Sequence, residues 1–165
     1  MDLTLEEATA DDAGEVFALK KAVAERLTEQ HGKGPWSSYG SEDSAARSLE
    51  SPTLWICRDG GELIAMLRLA SKKPWSIDTS HFTPCDTALY LTDMAVAPGL
   101  WGRGIGRECL EEAAQIAADH PAQAIRLDAY DAPAGAGAFY AKCGYTEVGR
   151  VVFKSTPLVY YESML

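Results

Sequence analysis

The residues from Trp101 to Arg107 have the types and spacing that suit phosphate binding. This stretch reads Trp-Gly-Arg-Gly-Ile-Gly-Arg. Glycine lets a ligand come close to the backbone, and the first turn of a helix offers unpaired N–H groups at the positive end of the helix dipole. Arg103 and Arg107 would add full positive charges beside those amides. Placed before a helix, this stretch predicts a phosphate-binding turn.

The flanking sequence predicts a strand before the turn and a helix after it. Residues 89–96 are apolar and aromatic, short enough for a buried strand, and are closed by Pro98 and Gly99. Residues 104–119 carry apolar side chains at the spacing of one helix face: Ile105, Cys109, Ala113, Ile116 and Ala117. The backbone amides from Gly102 to Gly106 would therefore lie at a helix N-terminus.

Three other interpretations of the turn differ in strength. A nucleoside-triphosphate loop ends in Gly-Lys-Ser/Thr, whereas this chain has Gly106-Arg107-Glu108, which excludes that site. A dinucleotide fingerprint spaces its glycines G-x-G-x-x-G, whereas here the spacing is G-x-G-x-G, so that interpretation is weak. A tight structural connection with no ligand is the remaining alternative.

Composition narrows the class of protein. With 165 residues, of which 47% are hydrophobic, the chain predicts a single domain over residues 1–165. No apolar run reaches the ~18 residues that span a membrane, and a net charge of −9 argues against nucleic-acid binding. The four cysteines lack C-x-x-C spacing, which favours reduced thiols, a cytoplasmic location and no metal site.

The remaining elements follow from apolar periodicity and turn residues. Asp59-Gly60-Gly61 predicts a hairpin turn, and Gly144 predicts a helix C-cap. The predicted strands are 3–7, 53–58, 62–70, 89–96, 124–130, 145–150 and 158–161. The predicted helices begin after Asp11 or Asp12 and at 41, 104 and 133; the first has an inner stripe of Val16, Leu19, Val23 and Leu27 and breaks at Thr28. This order predicts a mixed sheet with helices packed on its faces.

With this order and these motifs, the chain resembles the GNAT superfamily of acyl-coenzyme A-dependent N-acetyltransferases. The resemblance covers nearly the whole length. It rests on residues 91–110 and on the run Ala138-Phe139-Tyr140-Ala141-Lys142-Cys143-Gly144-Tyr145, which is similar to the family's Phe-Tyr-x-x-x-Gly-Phe/Tyr. It implies an α/β (α+β) fold: a mixed, mostly antiparallel sheet of six to seven strands, helices on both faces, and a splayed parallel strand pair.

The resemblance also implies a cofactor site. The family pattern in the turn is Arg/Gln-x-x-Gly-x-Gly/Ala; Gly104 and Gly106 match it, whereas Trp101 replaces the leading residue. The backbone of the splayed strand in the family binds the pantetheine arm and polarises the thioester carbonyl. The expected acetyl-CoA contacts are Met94, Ala95, Val96, Trp101, Gly102, Arg103, Gly104, Ile105, Gly106, Arg107 and Tyr140.

Two side chains are expected to take part in catalysis. Tyr140 matches the family's thiol-facing tyrosine, and a phenol, neutral at working pH, can donate its proton as a general acid. Asp93, in an otherwise apolar strand, fits a general base, an anchor for a substrate ammonium, or a structural carboxylate. These three roles for Asp93 are equally open at this stage.

The acceptor pocket is expected in two long loops, 28–40 and 71–87. Their aromatic residues could wall an apolar or cation-binding site, or could simply cover the sheet. Trp36, Tyr39, Trp75 and Asp128 are the predicted acceptor residues, with Glu29 and His31 as secondary candidates and no metal ligand among them. Amino acids, polyamines, aminoglycosides and protein N-termini all remain open as acceptors, as does a longer acyl donor.

The sequence therefore predicts an N-acetyltransferase that moves an acetyl group from acetyl-CoA to a primary amine of a small molecule. A protein N-terminus or lysine is a less favoured acceptor. The enzyme is expected to be cytoplasmic, a monomer or homodimer, and independent of nucleic acid, membrane and metal. The alternative is a non-catalytic acyl-CoA-binding sensor or interaction module on the same fold.

Overall fold

A computed structural model describes residues 2–51 and 53–165, and its strands form one sheet. The strands are β1 (Glu6–Glu7), β2 (Leu54–Asp59), β3 (Glu62–Ala70), β4 (Ala88–Val96), β5 (Ala124–Tyr130), β6 (Thr146–Phe153) and β7 (Thr156–Met164). The helices are α1 (Ala13–His31), α2 (Glu42–Ser48), α3 (Ile105–Asp119) and α4 (Gly137–Lys142). The strand order is β1-β2-β3-β4-β5-β7-β6, and β4 runs parallel to β5.

This architecture confirms the predicted fold class, a mixed seven-stranded sheet with a parallel strand pair and helices on both sides. The hairpin between β2 and β3 is also confirmed, because Asp59 pairs with Glu62 across Gly60 and Gly61, both of which have positive φ. α2 begins after Ser41, whose hydroxyl accepts the Ser44 amide, as expected of an N-cap.

Several predicted bounds are wrong. The first strand contains only Glu6–Glu7 and not residues 3–7. Leu3 and Leu5 are buried, but they lie outside the strand. α1 does not break at Thr28 but continues to His31, where Gly32 ends it with φ of +80°. α4 begins at Gly137 rather than Pro133, and β7 extends to Met164.

The chain divides into two compact units. The first contains residues up to Leu69 together with Asp93–Ala113, and the second contains Ala70–Thr92 together with Ala114–Leu165. The single domain predicted from the sequence stays a prediction.

The core of the first unit joins α1 and α2 to β2, β3 and the end of β4. Its buried side chains are Ala13, Val16, Leu19, Ala45, Leu49, Leu54, Ile56, Leu63, Met66 and Ala95. Val16 and Leu19 belong to the inner stripe predicted for α1, and Val23 packs at the edge of the same core. This packing fixes the strand that leads into the glycine turn.

The second unit has its own small core under the long 71–87 loop. Ile77 and Phe82 of that loop pack with Tyr90 and Tyr160, and the rings of Phe82 and Tyr160 lie 5.1 Å apart. The Tyr160 hydroxyl donates to the Ser76 carbonyl and accepts the Asp78 amide. These contacts hold the loop in one conformation although it is long.

A buried arginine fixes the end of the same loop. Arg126, on β5, donates to the Thr83 carbonyl at 2.8 Å and to the Tyr90 hydroxyl at 3.2 Å. Glu162, directly opposite Arg126 in the β5–β7 ladder, accepts both the amide and the hydroxyl of Thr83. The loop is therefore tied to the sheet at Thr83 as well as at Ser76.

Candidate active site

The glycine turn has an open backbone. Gly102 and Gly104 have φ of +82° and +83°, a region that L side chains adopt only with strain. A Cβ built on either residue would meet no other heavy atom of the described chain within 4 Å, apart from its chain neighbours. Glycine is thus required here by conformation and not by crowding, and the space in front of the turn is open to a ligand.

The turn leads directly into α3. The first helical hydrogen bond of α3 runs from the Glu108 amide to the Gly104 carbonyl at 3.1 Å. The amides of Ile105 and Gly106 come before this bond, where a helix has no carbonyl of its own to offer them. With the helix dipole behind them, these amides form the anion-binding end predicted from the sequence.

The side chains around the turn are placed differently from one another. Arg103 and Arg107 are exposed, as phosphate-binding residues on an open turn should be. The Trp101 indole N–H donates to the Val96 carbonyl at 2.8 Å, and its ring lies under the guanidinium of Arg26. Trp101 therefore packs back against the end of β4 instead of extending a polar group into the turn.

β4 is interrupted at Asp93. Its φ is +52°, an uncommon conformation for a residue other than glycine and one that is often found at functional sites. The parallel ladder with β5 starts at Ala88–Ala124 and ends at Tyr90–Arg126. The described pairing of β4 with β5 thus stops well before the end of β4 at Val96.

Both carboxylate oxygens of Asp93 face cations. Arg68 Nε lies 3.0 Å from Oδ2, and Lys20 Nζ lies 3.5 Å from Oδ1. Arg68 is itself held by the Thr53 hydroxyl at 2.6 Å and the Ser48 carbonyl at 3.3 Å. Asp93, the strained residue of β4, is therefore linked to α1 through Lys20. Through Arg68 it is linked to β3 and to the loop before β2. Sequence reasoning missed Arg68 and Lys20 because nothing in their local pattern marks them.

Tyr140 is buried in a cluster of aromatic rings. Its side chain lies on α4, its residue is 7% exposed, and its ring contacts Phe139, Tyr145 and Tyr161 at centroid distances of 5.2, 5.7 and 6.2 Å. Burial, with smaller contributions from Tyr145, Asp128 and Cys143, raises the pKa of Tyr140 above its ordinary value. The phenol is therefore fully protonated at neutral pH and can serve as a proton donor.

Asp128 lies half-buried on β5 and has a different environment from Asp93. The Ser76 hydroxyl donates to its Oδ2, which is the one hydrogen bond that the described chain makes to this carboxyl group. Burial raises the pKa of Asp128, while the Ser76 hydrogen bond partly offsets the increase. Burial raises the pKa of Tyr130, and the nearby Asp128 raises it further. Ser76 was not among the residues predicted from the sequence, since its partner is distant in the chain.

Replacing Asp128 by Asn should stabilise the fold near neutral pH. A raised pKa in the folded state means that ionised Asp128 disfavours folding. Wild type is therefore most stable relative to the variant below the ordinary pKa of 3.8, and loses that advantage as the pH rises through the raised pKa. Urea unfolding of both proteins from about pH 2 to about pH 8 would measure this difference.

Asp78→Asn is the matched control for this experiment. Asp78 lies in the 71–87 loop that carries Ser76, the partner of Asp128, and hydrogen bonds from the Ser80 hydroxyl and amide lower its pKa. Its contribution to stability is present above the ordinary pKa and is lost as the pH falls, so the two variants should show opposite pH trends. Parallel trends would contradict the burial of an ionised Asp128.

The other predicted acceptor residues occupy several parts of the structure. Trp36 lies in the short turn Pro35–Ser37, and its indole N–H donates to the Gly32 carbonyl at 2.9 Å. Tyr39 packs on Phe17 of α1 at 5.9 Å. Trp75, at the tip of the anchored loop, is 87% exposed. His31 and Glu29 are exposed on the last turn of α1, so placing them in a loop was wrong.

The structure groups the predicted residues by unit. The first unit holds Asp93, the end of β4, the glycine turn, Trp36 and Tyr39, whereas the second unit holds Tyr140, Asp128 and Trp75. Within residues 2–51 and 53–165, there is no cluster of three or more acidic, histidine or cysteine side chains that could hold a metal. Within the same ranges, no helix has the length and apolar character needed to cross a membrane.

Comparison with known proteins identifies relatives. Residues 20–145 match the model of the acetyltransferase (GNAT) family. An acetyltransferase of the GNAT family from Streptococcus agalactiae is similar over 99% of this chain and 95% of that chain, with 15% identity and a TM-score of 0.80. A ribosomal-protein-alanine N-acetyltransferase from Brucella melitensis is similar over 99% and 100%, with 18% identity and a TM-score of 0.73.

A third similar structure was solved with a ligand. It is yncA, a putative acetyltransferase from Salmonella typhimurium, with its cofactor acetyl-CoA. The similarity covers 100% of this chain and 95% of that chain, with 15% identity and a TM-score of 0.71. At these identities, the solved structures establish a common fold.

Proposed function

This chain belongs to the acetyltransferase (GNAT) family, and from that premise we propose that it transfers an acetyl group from acetyl-CoA to a primary amine of a small molecule. The transfer takes place by direct attack of the amine within a ternary complex. The observation that carries this proposal is the glycine turn, since its backbone is open and leads into the N-terminus of α3.

The residues of the turn fit the phosphates of acetyl-CoA. The open space at Gly102 and Gly104 would admit a phosphate to the amides that begin α3. The exposed guanidinium groups of Arg103 and Arg107 would pair with its negative charge. Residues 94–96, which follow the interruption of β4 at Asp93, would offer backbone groups to the pantetheine arm, as in the family. When bound, acetyl-CoA supplies an acetyl group activated as a thioester.

Tyr140 would hold a proton at its hydroxyl for the departing sulfur. Burial raises its pKa, so the phenol carries its proton at neutral pH and has one to donate. The surrounding rings of Tyr145 and Tyr161 restrict its orientation. The same packing also separates the hydroxyl from bulk water.

The two carboxylates suit different roles. Asp93 is held between Arg68 and Lys20, so its charge is already compensated, and we assign it to shaping β4. Asp128 is desolvated, its pKa is raised, and the described chain places no cation against its carboxylate. Those properties suit a group that receives the substrate ammonium and accepts its proton at a carboxylate oxygen.

Acetyl-CoA should stabilise the protein, and the protein should release thiol when an amine acceptor is present. Because the turn exists only in the folded state, ligand at ~100 times its dissociation constant should add about 2.7 kcal/mol to the free energy of unfolding. Thermal unfolding with acetyl-CoA or NAD would measure binding. Steady-state thiol release with amino acids, polyamines, aminoglycosides and a peptide would measure transfer.

Each outcome of this experiment has a defined meaning. No thermal shift at millimolar acetyl-CoA would overturn the coenzyme site, and a larger shift with NAD would favour a dinucleotide. Binding without thiol release from any amine would favour the non-catalytic alternative. Release with the peptide alone would overturn the small-molecule acceptor.

A further inference from the structure

Trp101 and Arg26 form a cation–aromatic contact at the edge of the glycine turn. The guanidinium carbon of Arg26 lies 6.0 Å from the centroid of the Trp101 ring, at the outer limit of a cation–π contact. Arg26 comes from α1, whereas Trp101 immediately precedes Gly102 of the turn. The contact therefore brings a charge from α1 to the residue that directly precedes the glycine turn.

The position of the Trp101 ring is fixed by the backbone. Its indole N–H donates to the Val96 carbonyl at 2.8 Å, at the end of β4. The residue is still 38% exposed, so part of its ring remains available as a platform. A large, half-open aromatic ring held in one orientation can in turn orient a guanidinium group, which stacks well on aromatic faces.

The guanidinium of Arg26 has donors to offer. Its described partner is Glu29, at 3.9 Å between Nε and Oε2, and both side chains are well exposed, at 41% and 80%. Such exposed ion pairs contribute little and exchange readily. Across residues 2–51 and 53–165, no hydrogen bond from the Arg26 guanidinium to the protein is described. Its planar fork is therefore available to an anion.

An acidic protein needs local positive charge to bind a polyanion. The net charge of this chain is −9, and coenzyme A carries a pyrophosphate and a further phosphate. Arg103 and Arg107 come from the turn and the first turn of α3. Arg26 would add a third guanidinium, from α1, beside Trp101 at the start of the same turn.

We propose that Arg26, oriented by its cation–π contact with Trp101, is a phosphate-binding residue of the coenzyme site. This proposal rests on the proposed function, because it names a further residue for the same ligand. Trp101 acts as a positioning residue, and Arg26 is the group that contacts phosphate. The contact thereby places the guanidinium of Arg26 beside the indole of Trp101, at the start of the turn.

The test compares ligands with and without phosphate. Arg26→Gln should raise the dissociation constant for coenzyme A about tenfold, as expected for one lost charge-assisted contact. The affinity for S-acetylpantetheine, which lacks phosphates, should not change. Lys21→Gln is the matched control because Lys21 is an exposed cation on the same helix, paired with Glu25 at 4.0 Å. Titration calorimetry at low salt would measure the dissociation constants of both ligands for wild type, Arg26→Gln and Lys21→Gln.

A second variant tests the placement of the charge. Trp101→Arg introduces a guanidinium at the start of the turn, so it should recover coenzyme A affinity in the Arg26→Gln background. Equal affinity of wild type and Arg26→Gln for coenzyme A would overturn the role of Arg26, and so would an equal loss for S-acetylpantetheine. If wild type itself binds no coenzyme A, the proposed function fails, which is a distinct result.

Discussion

Tyr140→Phe should lower turnover by about 10²–10⁴-fold, the range expected for loss of a general acid. The substitution removes one hydroxyl and keeps the ring that packs among Phe139, Tyr145 and Tyr161. The fold and the affinity for acetyl-CoA should therefore stay near wild type. Single-turnover kinetics with saturating acetyl-CoA, measured by thiol release, would report the chemical step directly.

Tyr145→Phe is the control for this variant. Tyr145 is a buried phenol in the same cluster, with its ring 5.7 Å from that of Tyr140, and burial also raises its pKa. Loss of its hydroxyl should cost far less turnover than loss of the Tyr140 hydroxyl. If both variants keep full turnover when chemistry limits the rate, neither phenol is the proton donor.

Gly104→Val should weaken the binding of acetyl-CoA by about 100-fold or more, equivalent to the loss of one or two hydrogen bonds to a charged group. The branched side chain would enter the open space that leads to the amides of α3. It would also strain the turn, because the φ of Gly104 is +83°. Isothermal titration with acetyl-CoA, together with urea unfolding, would separate the two effects.

Gly61→Val isolates the contribution of strain. Gly61, in the β2–β3 hairpin, has a φ of +84°, and a Cβ there also meets no other described heavy atom within 4 Å. The two variants should lose similar stability, of roughly 1–2 kcal/mol. Only Gly104→Val should lose affinity; if both folded variants bind acetyl-CoA like wild type, the turn is a structural connection.

Much of the fold could be predicted from the sequence because local chemistry specifies it. Gly60 and Gly61 have the positive φ that a two-residue hairpin needs, and Ser41 caps α2 with its own side chain. The errors occur where packing overrides local preference. β7 extends beyond the apolar residues from which it was predicted, because β5 pairs with it as far as Met164.

The predicted start of α4 at Pro133 is also wrong, and the error has a physical cause. Residues 133–136 carry helix-compatible alanines, but Gly135 packs so closely that a Cβ there would lie 1.8 Å from the Tyr130 carbonyl oxygen. This close turn after β5 delays the helix to Gly137. No local pattern in the sequence contains that constraint.

The sequence by itself determined the glycine turn and the position of Tyr140, since both depend on residues close together in the chain. Backbone conformation and helix N-termini follow from local order, so spacing was sufficient to find them. Only the tertiary structure decided the partners of the charged groups. Arg68 meets Asp93 across 25 positions, and Ser76 meets Asp128 across 52. Because such contacts depend on how elements pack, the chain order alone leaves open which carboxylate is compensated and which is available.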